Sequence, residues 1–290
     1  MILQDHKNLL NRIDLIPIIV EKLGTLPIDY SEKMTLVRKN QKSKISGAAA
    51  GVLLLLHMKN SPAISNEQNE EFTLLLIKRS SKVSQPGDLS CPGGMLNRMI
   101  DPLLRPIITG RIFPVLKGRS RDFAQRRDLD TFRLLTLFLT NAIRETWEEM
   151  NLCPCKIQCL GPLPTYTLHL FKRTIFPLVG FVDEEWTFRP NTEVERLVEI
   201  PLNTFFQEDN YGCYEIELSD SLSRDSKTFQ KFPCLIYRDN HGREDILWGA
   251  TFYIIMNFLK IVFDFKIPEL HAKRVVKKPL YPDYMTGRHT

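Results

Sequence analysis

Three glutamates lie close together in one short segment, Arg144–Glu149, whose sequence reads Arg-Glu-Thr-Trp-Glu-Glu. On a helix, residues three and four positions apart share a face, so Glu145, Glu148 and Glu149 would project to the same side. Carboxylates packed this closely repel one another unless a cation neutralises them, and Mg²⁺ and Mn²⁺ prefer oxygen ligands. Arg144 precedes Glu148 by four positions and can hold that carboxylate in place. The spacing therefore predicts a site for a hard divalent cation.

A second feature, upstream of the glutamates, is the loop formed by Pro92, Gly93 and Gly94. Residues without side chains let the backbone approach a metal ion or a phosphate closely. A solvated helix face is the alternative interpretation of the bare glutamate pattern. The surroundings favour a functional site, because Trp147 is expected on the apolar side of the helix and Asn151 stands where a left-handed residue ends a helix.

The elements that must position these residues follow from the hydrophobic pattern. Two apolar runs joined by a polar loop at Asn60–Glu71 predict an antiparallel pair of strands, Ala48–Met58 and Phe72–Lys78. The pattern becomes helical from about Asp128 to Leu152. The alternation of strands and helices indicates an α/β sandwich with a mixed sheet. The other expected elements are a basic loop at Lys39–Lys44, strands at Thr174–Val182, Val194–Pro201 and Phe232–Tyr237, and a helix at Ile246–Phe263.

We expect one principal domain at residues 46–265, an N-terminal helical extension at 1–45 and a loosely held C-terminal tail at 266–290. An arginine-rich insertion covers about residues 96–128 of the principal domain. Between Leu96 and Asn141, nine Lys and Arg residues stand against four Asp residues, an excess equal to the net charge of +5 of the whole chain. Such a segment could attract a polyanionic ligand or nucleic acid, and a solvated surface insertion is the open alternative.

Composition limits the class of protein. With 43% hydrophobic and 25% charged residues, the chain has the composition of an ordinary soluble globular protein. No apolar run approaches the roughly 20 residues that cross a bilayer, and the N-terminus lacks the pattern of a secretory signal. We therefore expect no membrane contact and a cytoplasmic location. The spacing of the six cysteines matches neither a disulfide framework nor a zinc pair, so reduced cysteines are expected.

The glycine loop and the glutamates together resemble the Nudix box, which reads G-x5-E-x7-R-E-U-x-E-E-x-G-U, with U a bulky apolar residue. Gly94 supplies the first glycine, and Arg144–Leu152 supply the second half. Thr146 stands at an apolar position, Asn151 replaces the later glycine, and the stretch between the halves is roughly 35 residues longer than in the box. Asp101 is the approximate equivalent of the acidic residue of G-x5-E. The resemblance implies a Nudix-type α/β/α sandwich and hydrolysis of a diphosphate linkage.

The flanking segments resemble the coenzyme A pyrophosphatases in particular. Upstream, Leu75–Ser80 and Gly87–Gly94 are similar to their L-L-T-x-R-S and G-x3-F-P-G-G signatures. Cys91 replaces the phenylalanine, and the second arginine of the signature has no counterpart near Val83 and Ser84. Loss of this arginine could weaken recognition of a 3′-phosphate, unless the basic insertion supplies a substitute. Downstream, the similar stretches are Arg189–Leu202 and Ile246–Thr251.

The resemblance also implies roles for individual residues. Bound metal would neutralise phosphate oxygens and lower the pKa of water for in-line attack on phosphorus. Coenzyme A or an acyl-CoA would give 3′,5′-ADP and 4′-phosphopantetheine or its acylated form. One carboxylate among Glu193, Glu195 and Glu199 is expected to assist. The implied site consists of Glu145 and Arg144 in catalysis and of Glu145, Glu148, Glu149 and the Gly94 carbonyl as ligands of Mg²⁺ or Mn²⁺. On charge alone, Arg79, Lys78 and the basic insertion are candidates for binding the adenylate phosphates, with ordinary surface cations as the alternative. Gly93 is a further candidate for substrate contact.

Several alternatives stay open beside this interpretation. Another nucleoside diphosphate linked to a different group would use the same catalytic residues. A Nudix module that only binds a ligand or RNA is the alternative from a different class, although such modules generally lose the glutamates. Nucleic-acid binding through the basic insertion is not favoured but is compatible with catalysis, and a steep salt dependence would support it. The expected partner is a small nucleotide substrate, and a homodimer is left open.

Overall fold

The computed structural model describes residues 15–42, 47–61, 69–110, 113–168, 173–218, 228–270, 274–278 and 284. Within these ranges, none of the helices is both long and apolar enough to cross a membrane. The helices are α1 Leu15–Thr25, α2 Tyr30–Lys42, α3 Ile100–Ile108, α4 Gly118–Gln125, α5 Leu129–Met150 and α6 Gly249–Phe263. The strands are β1 Ala48–Ser61, β2 Asn69–Arg79, β3 Leu89–Ser90, β4 Gly93–Met95, β5 Ile157–Pro162, β6 Tyr166–Leu168, β7 Arg173–Val182, β8 Val194–Pro201, β9 Tyr211–Leu218, β10 Thr228–Arg238, β11 Glu244–Leu247 and β12 Val275–Lys278.

A mixed sheet forms the centre of the molecule. Its strands run in the order β3-β2-β1-β7-β5, while β4 pairs with β1, β6 with β7 and β8 with β2. Strand β1 is antiparallel to β2 and parallel to β7. The antiparallel pair expected at the start of the sheet is confirmed, and both strands are longer than expected, because β1 continues to Ser61 and β2 begins at Asn69.

Helices cover both faces of this sheet, which confirms the α/β/α sandwich. Successive side chains of a strand point to opposite faces, so a strand covered on both sides needs a continuous apolar run. The run from Leu53 to Leu56 fits this requirement, because all four leucines are fully buried. Leu53 and Leu55 pack with residues of α2 and α5, whereas Leu54 and Leu56 pack with residues of α1 and α6.

A second sheet of the order β11-β10-β9-β12 lies beside the first. The helix expected from Ile246 begins only at Gly249, because Ile246 and Leu247 form β11 and pair with Ile236 and Leu235. The expectation of a loosely held tail is wrong for Val275–Lys278, which pair in parallel with β9. Hydrogen-bonded pairing with a neighbouring strand thus overrides local sequence signals at both places.

The loop expected at Lys39–Lys44 is wrong for its first four residues, because α2 continues to Lys42. Lys39 and Lys42 lie in the last turn of that helix, where positive charge stabilises the helix dipole. Positions 43 and 44 lie outside the described residues.

The segments expected as an extension and an insertion contribute to the core. Leu15, Ile19 and Leu23 of α1 are fully buried, and residues 1–14 lie outside the described part. The insertion contains the short helices α3 and α4, separated from each other by Pro114 and its neighbours. Its Arg127 donates hydrogen bonds to the carbonyl oxygens at the end of α1, those of Leu23, Gly24 and Leu26, at 2.9 to 3.1 Å.

Candidate active site

Helix α5 carries the glutamates, and both of its ends are fixed by polar contacts. The side chain of Asp128 accepts a hydrogen bond from the backbone N–H of Thr131 at 2.9 Å and caps the start of the helix. Asn151 ends it with a left-handed backbone (φ 55°), as the sequence predicts. Thr146 is fully buried, and its hydroxyl donates to the Ala142 carbonyl at 2.7 Å. A threonine therefore fits at an apolar position of the box.

The expectation that Trp147 packs on the apolar side is wrong, because its side chain is 51% exposed. The apolar face of α5 consists of other residues, Leu135, Phe138, Leu139, Ala142 and Ile143. Trp147 instead lines an open cavity of about 380 Å³ beside the glutamates, together with Ile100, Leu104, Arg144 and Glu148.

The glycine loop lies against the same helix through β4. Gly93 has φ +145°, and a Cβ atom there would collide with the Gly51 carbonyl of β1. A Cβ atom at Gly94 would lie 2.5 Å from the carboxyl carbon of Glu145. Both positions therefore need glycine, because the backbone passes directly beside a strand and a carboxylate.

Asn141 holds the loop strand and helix together, and sequence reasoning missed it. Its fully buried side chain accepts a hydrogen bond from the Gly51 N–H at 2.7 Å and donates one to the Met95 carbonyl at 3.1 Å. An amide among the apolar residues of a helix face is the signal that could have identified it, because buried polar groups need partners.

Glu149 is the most buried of the three glutamates, with 4% of its surface exposed. Its Oε2 accepts a hydrogen bond from the Gly93 N–H at 2.9 Å. Burial raises the pKa of Glu149 to about 8, and the negative charges of Glu145 and Glu193 add to this, while the Gly93 hydrogen bond and the charge of Arg79 lower it. The raised pKa of Glu149 is therefore due first to its burial and only then to the neighbouring carboxylates.

Arg144 binds three carboxylates at once. Its Nε donates to Asp101 at 2.7 Å, its Nη2 to Glu145 at 2.8 Å, and its Nη1 to both oxygens of Glu148 at 3.1 Å. Asp101 is fully buried and also accepts a hydrogen bond from the Asn97 N–H at 2.7 Å. The structure thus brings Asp101 into contact with the arginine that orients two of the glutamates, despite the long insertion between them.

The donor set suits a hard divalent cation. Carboxylate oxygens of Glu145, Glu148 and Glu149 and the carbonyl oxygen of Gly94 are the ligands that Mg²⁺ and Mn²⁺ prefer. Among the residues that the structure describes, no group of three or more acidic, histidine or cysteine side chains is arranged so that it could hold a metal ion. The guanidinium of Arg144 holds Glu145 and Glu148, and the buried charge of Glu149 is the feature that a cation would compensate.

The two predicted substrate-binding cations lie on different sides of β2. Lys78 Nζ is 3.2 Å from Asp245 and 3.8 Å from Glu195, so it is directed to the second sheet rather than to the glutamates. Arg79 donates to the Ser84 carbonyl at 2.8 Å, and its charge lowers the pKa of Glu149. Arg79 is therefore close to the glutamates and Lys78 is not.

The three candidate distal carboxylates also separate. The charge of Glu193 acts on Glu149, whereas Glu195 contacts Lys78. Glu199 acts on Tyr237, whose pKa is raised by burial, by Asp239 and then by Glu199. Glu193 is thus the candidate that the structure brings near the site.

Comparison with known proteins finds relatives both by sequence and by structure. No family model matches the chain. An uncharacterized Nudix hydrolase, NudL of Pectobacterium atrosepticum, is 30% identical over 119 residues, which are 40% of this chain and 55% of that protein. The chain therefore spans about half the length of this relative.

Among solved structures, a NUDIX hydrolase of Alicyclobacillus acidocaldarius is 13% identical with a TM-score of 0.35, over 54% of this chain and 79% of that one. The NUDIX domain of Shewanella oneidensis NrtR, complexed with ADP ribose, is 12% identical with a TM-score of 0.32, over 56% and 77%. An Ap4A hydrolase of C. elegans in a binary complex is 12% identical with a TM-score of 0.31, over 52% and 78%.

Proposed function

We propose that this chain is a Nudix-type hydrolase that cleaves a diphosphate linkage with the help of Mg²⁺ or Mn²⁺. The observation that carries the proposal is the buried Glu149, held against the Gly93 N–H beside a second carboxylate, that of Glu145. The relative with 30% identity is named as a Nudix hydrolase, which supports the same activity.

The cation would be held by Glu145, Glu148, Glu149 and the Gly94 carbonyl. When bound, it supplies positive charge against the phosphate oxygens and makes water more acidic. Arg144 keeps Glu145 and Glu148 oriented, and Asp101 keeps Arg144 in place. The bare backbone at Gly94 leaves room for phosphate oxygens next to these carboxylates.

Glu145 accepts the proton of the attacking water in this proposal, because its carboxylate faces the Gly94 backbone. The water oxygen forms a bond to one phosphorus atom while the bridging P–O bond breaks on the opposite side. The bridging oxygen leaves on the other phosphate, and two phosphomonoesters result. Glu193 is our choice for the assisting carboxylate, since its charge acts on Glu149.

Coenzyme A or an acyl-CoA is the substrate we propose, with 3′,5′-ADP and 4′-phosphopantetheine or its acylated form as products. The resemblance of the flanking segments supports it, and so does the position of Arg79 near the glutamates. Gly93 stays a proposed substrate contact, whereas the contacts of Lys78 with the second sheet do not support a substrate role. Another nucleoside diphosphate would use the same catalytic residues.

The basic insertion gives little support to the nucleic-acid alternative. Arg119 pairs with Glu21, Arg133 lies 3.7 Å from Asp130, and Arg127 binds backbone carbonyls. Three of the nine positive charges between Leu96 and Asn141 therefore have partners within the protein, which leaves less of the segment's charge for a polyanion. The cytoplasmic location and the homodimer stay predictions.

The decisive experiment is hydrolysis of coenzyme A with Mg²⁺ or Mn²⁺, with separation of the products by chromatography. Glu148→Gln is the test variant, and Asp130→Asn is the matched control, because Asp130 is an exposed acid on the same helix. We expect the parent and Asp130→Asn to release 3′,5′-ADP and Glu148→Gln to release none. Cleavage of other diphosphates but not of coenzyme A would keep the proposed activity and change only the proposed substrate. No metal-dependent hydrolysis of any diphosphate would contradict the proposal.

A further inference from the structure

Arg173, the first residue of β7, is an arginine whose charge has no evident partner. Its Nε atom is buried and makes no hydrogen bond. Among the residues that the structure describes, no carboxylate forms an ion pair with it. Buried polar atoms of native proteins are normally hydrogen-bonded, so an orphaned guanidinium donor calls for an explanation. An anion that is bound from outside is one such explanation.

The register of the strands places Arg173 at the sheet edge that carries the glycine loop. Arg173 pairs with Ala48 at the start of β1. Two positions further along β1, the segment Ala50–Val52 pairs with the loop strand Gly93–Met95. Glu149 accepts its hydrogen bond from Gly93. Arg173 therefore lies on the strand next to β1, close to the level at which the glutamates meet the sheet.

Arg79 is the like-charged neighbour of Arg173 at this edge. Burial lowers the pKa of Arg173, and the charge of Arg79 lowers it further. The same charge of Arg79 acts on Glu149. Arg79 therefore lies within electrostatic reach of both Arg173 and the glutamates. Two neighbouring guanidinium groups repel each other, and partial burial strengthens this repulsion because water screens it less.

A phosphate group would remove this repulsion. The guanidinium fork donates two parallel hydrogen bonds to phosphate oxygens, and a dianionic phosphomonoester can accept from two arginines at once. Arg79 binds the Ser84 carbonyl through its Nε, and the Nε of Arg173 is orphaned. The two positive charges, the orphaned Nε of Arg173 and its place at the sheet edge fit such an anion.

We propose that Arg173 and Arg79 form a binding site for a phosphomonoester group of the substrate, next to the place where its diphosphate is cleaved. The inference rests on the proposed function and sharpens it, because it selects substrates that carry an additional phosphate. It also offers Arg173 of β7 as a substitute for the missing arginine near Val83 and Ser84, as an alternative to the basic insertion.

The first test measures binding without catalysis, by calorimetry in EDTA with 3′,5′-ADP and 5′-AMP as probes. The wild-type protein should bind 3′,5′-ADP more tightly than 5′-AMP. Because a hydrogen bond to a charged group is typically strong, Arg173→Gln should weaken 3′,5′-ADP binding by about 10- to 100-fold and leave 5′-AMP binding unchanged. Arg121→Gln, an exposed arginine of the insertion, is the matched control and should change neither.

Two outcomes of this titration would overturn the site. One is equal or undetectable binding of the two nucleotides by the wild-type protein. The other is loss of 3′,5′-ADP binding in Arg121→Gln but not in Arg173→Gln. Arg173→Lys keeps the charge without the fork, and we expect it to fall between the wild type and Arg173→Gln.

The second test separates a binding role from a structural one by thermal unfolding. In phosphate-free buffer, Arg173→Gln should unfold at the wild-type temperature or above it, because an unpaired buried donor is removed. Inorganic phosphate should raise the unfolding temperature of the wild type and not of the variant. A lower unfolding temperature of Arg173→Gln in phosphate-free buffer, or equal stabilisation of both proteins by phosphate, would contradict the site.

The third test compares coenzyme A with dephospho-coenzyme A, which lacks the 3′-phosphate, as substrates. Arg173→Gln should raise KM for coenzyme A and leave the hydrolysis of dephospho-coenzyme A unchanged. A proportional loss on both substrates would contradict a phosphomonoester site. If neither the wild type nor the variant hydrolyses any diphosphate, the proposed function fails, and the calorimetric comparison still decides the anion site independently.

Discussion

Two clusters of charged residues in this molecule differ in how their positive and negative charges are balanced. The helix cluster contains the carboxylates of Asp101, Glu145, Glu148 and Glu149; Arg144 binds the first three, and the Gly93 N–H binds the fourth. The inter-sheet cluster is centred on Asp245, which is 2% exposed and binds both Lys78 and Arg196, with Glu195 at its edge.

The difference lies in where the balancing charge comes from. Positive and negative groups match in the inter-sheet cluster, which joins β2 and β8 of the central sheet to β11 of the second sheet. Negative groups are in excess in the helix cluster, and the raised pKa of Glu149 reflects this excess together with burial. A balanced buried cluster holds parts of a protein together, whereas an unbalanced one is typical of a site that binds or reacts.

The largest effect should follow from changing the helix cluster at Glu149. Removal of a cation ligand costs several kcal/mol of transition-state stabilisation, so Glu149→Gln should lower kcat/KM by about 10³-fold. The measurement is metal-dependent hydrolysis of the best diphosphate substrate at pH 8, with Asp130→Asn as the control. Activity of Glu149→Gln within tenfold of the parent would show that the excess charge has no catalytic role.

The inter-sheet cluster should respond in stability and not in activity. Asp245→Asn leaves Lys78 and Arg196 without their shared carboxylate, so the free energy of unfolding should fall by about 3 kcal/mol. Urea unfolding measures this change, and kcat/KM of the folded variant should stay at the parent value. A large loss of activity with unchanged stability would reverse the roles that we assign to the two clusters.

A smaller effect is expected at Arg144, which positions carboxylates of the helix cluster. Lysine keeps the charge but cannot bind Asp101, Glu145 and Glu148 together, so Arg144→Lys should lower kcat/KM by about 10- to 100-fold. Titration with Mn²⁺ should show a higher metal requirement for the variant. If lysine restores full activity, positive charge alone is sufficient at this position.

The smallest effect concerns pH. The folded-state pKa of Glu149 is raised to about 8 from its ordinary value of 4.5, so the folded protein holds this proton more tightly than the unfolded chain. In EDTA, the free energy of unfolding should therefore fall as the pH rises from the ordinary pKa to the raised one, by at most about 1.4 kcal/mol per pH unit. Urea unfolding at several pH values tests this, and Glu149→Gln should lose the dependence. A wild-type profile that rises over the same interval would contradict the sign.

The three glutamates of the helix cluster could be grouped from the sequence because they are neighbours along the chain. Glu145, Glu148 and Glu149 share a face by helical spacing alone, and the expected end of the helix at Asn151 is confirmed. Asp101 was identified only approximately, because the insertion obscures the spacing of the box. Its contact with Arg144 requires the folded position of α3 against α5.

The inter-sheet cluster could not be predicted, since Asp245 is far from Lys78 and Arg196 in sequence. Lys78 and Arg79 look equivalent in the sequence because they are adjacent cations. Neighbouring residues of a strand face opposite sides of the sheet. Only the packing of other elements against β2 shows which of the two residues lies near the glutamates. The strand at Val275–Lys278 could not be predicted either, because it forms by pairing with β9, which is distant in the sequence. Trp147 is exposed because other residues of α5 fill the core.

The contacts of Arg127 have a consequence for attempts to shorten the protein. Its guanidinium binds three carbonyl oxygens at the end of α1, and Phe123 of α4 lies against Gly24 there. Excision of residues 96–128 as a dispensable loop would leave those carbonyls without donors and remove Leu116 and Ala124 from the core. A truncated version should therefore begin before Leu15 and retain the insertion.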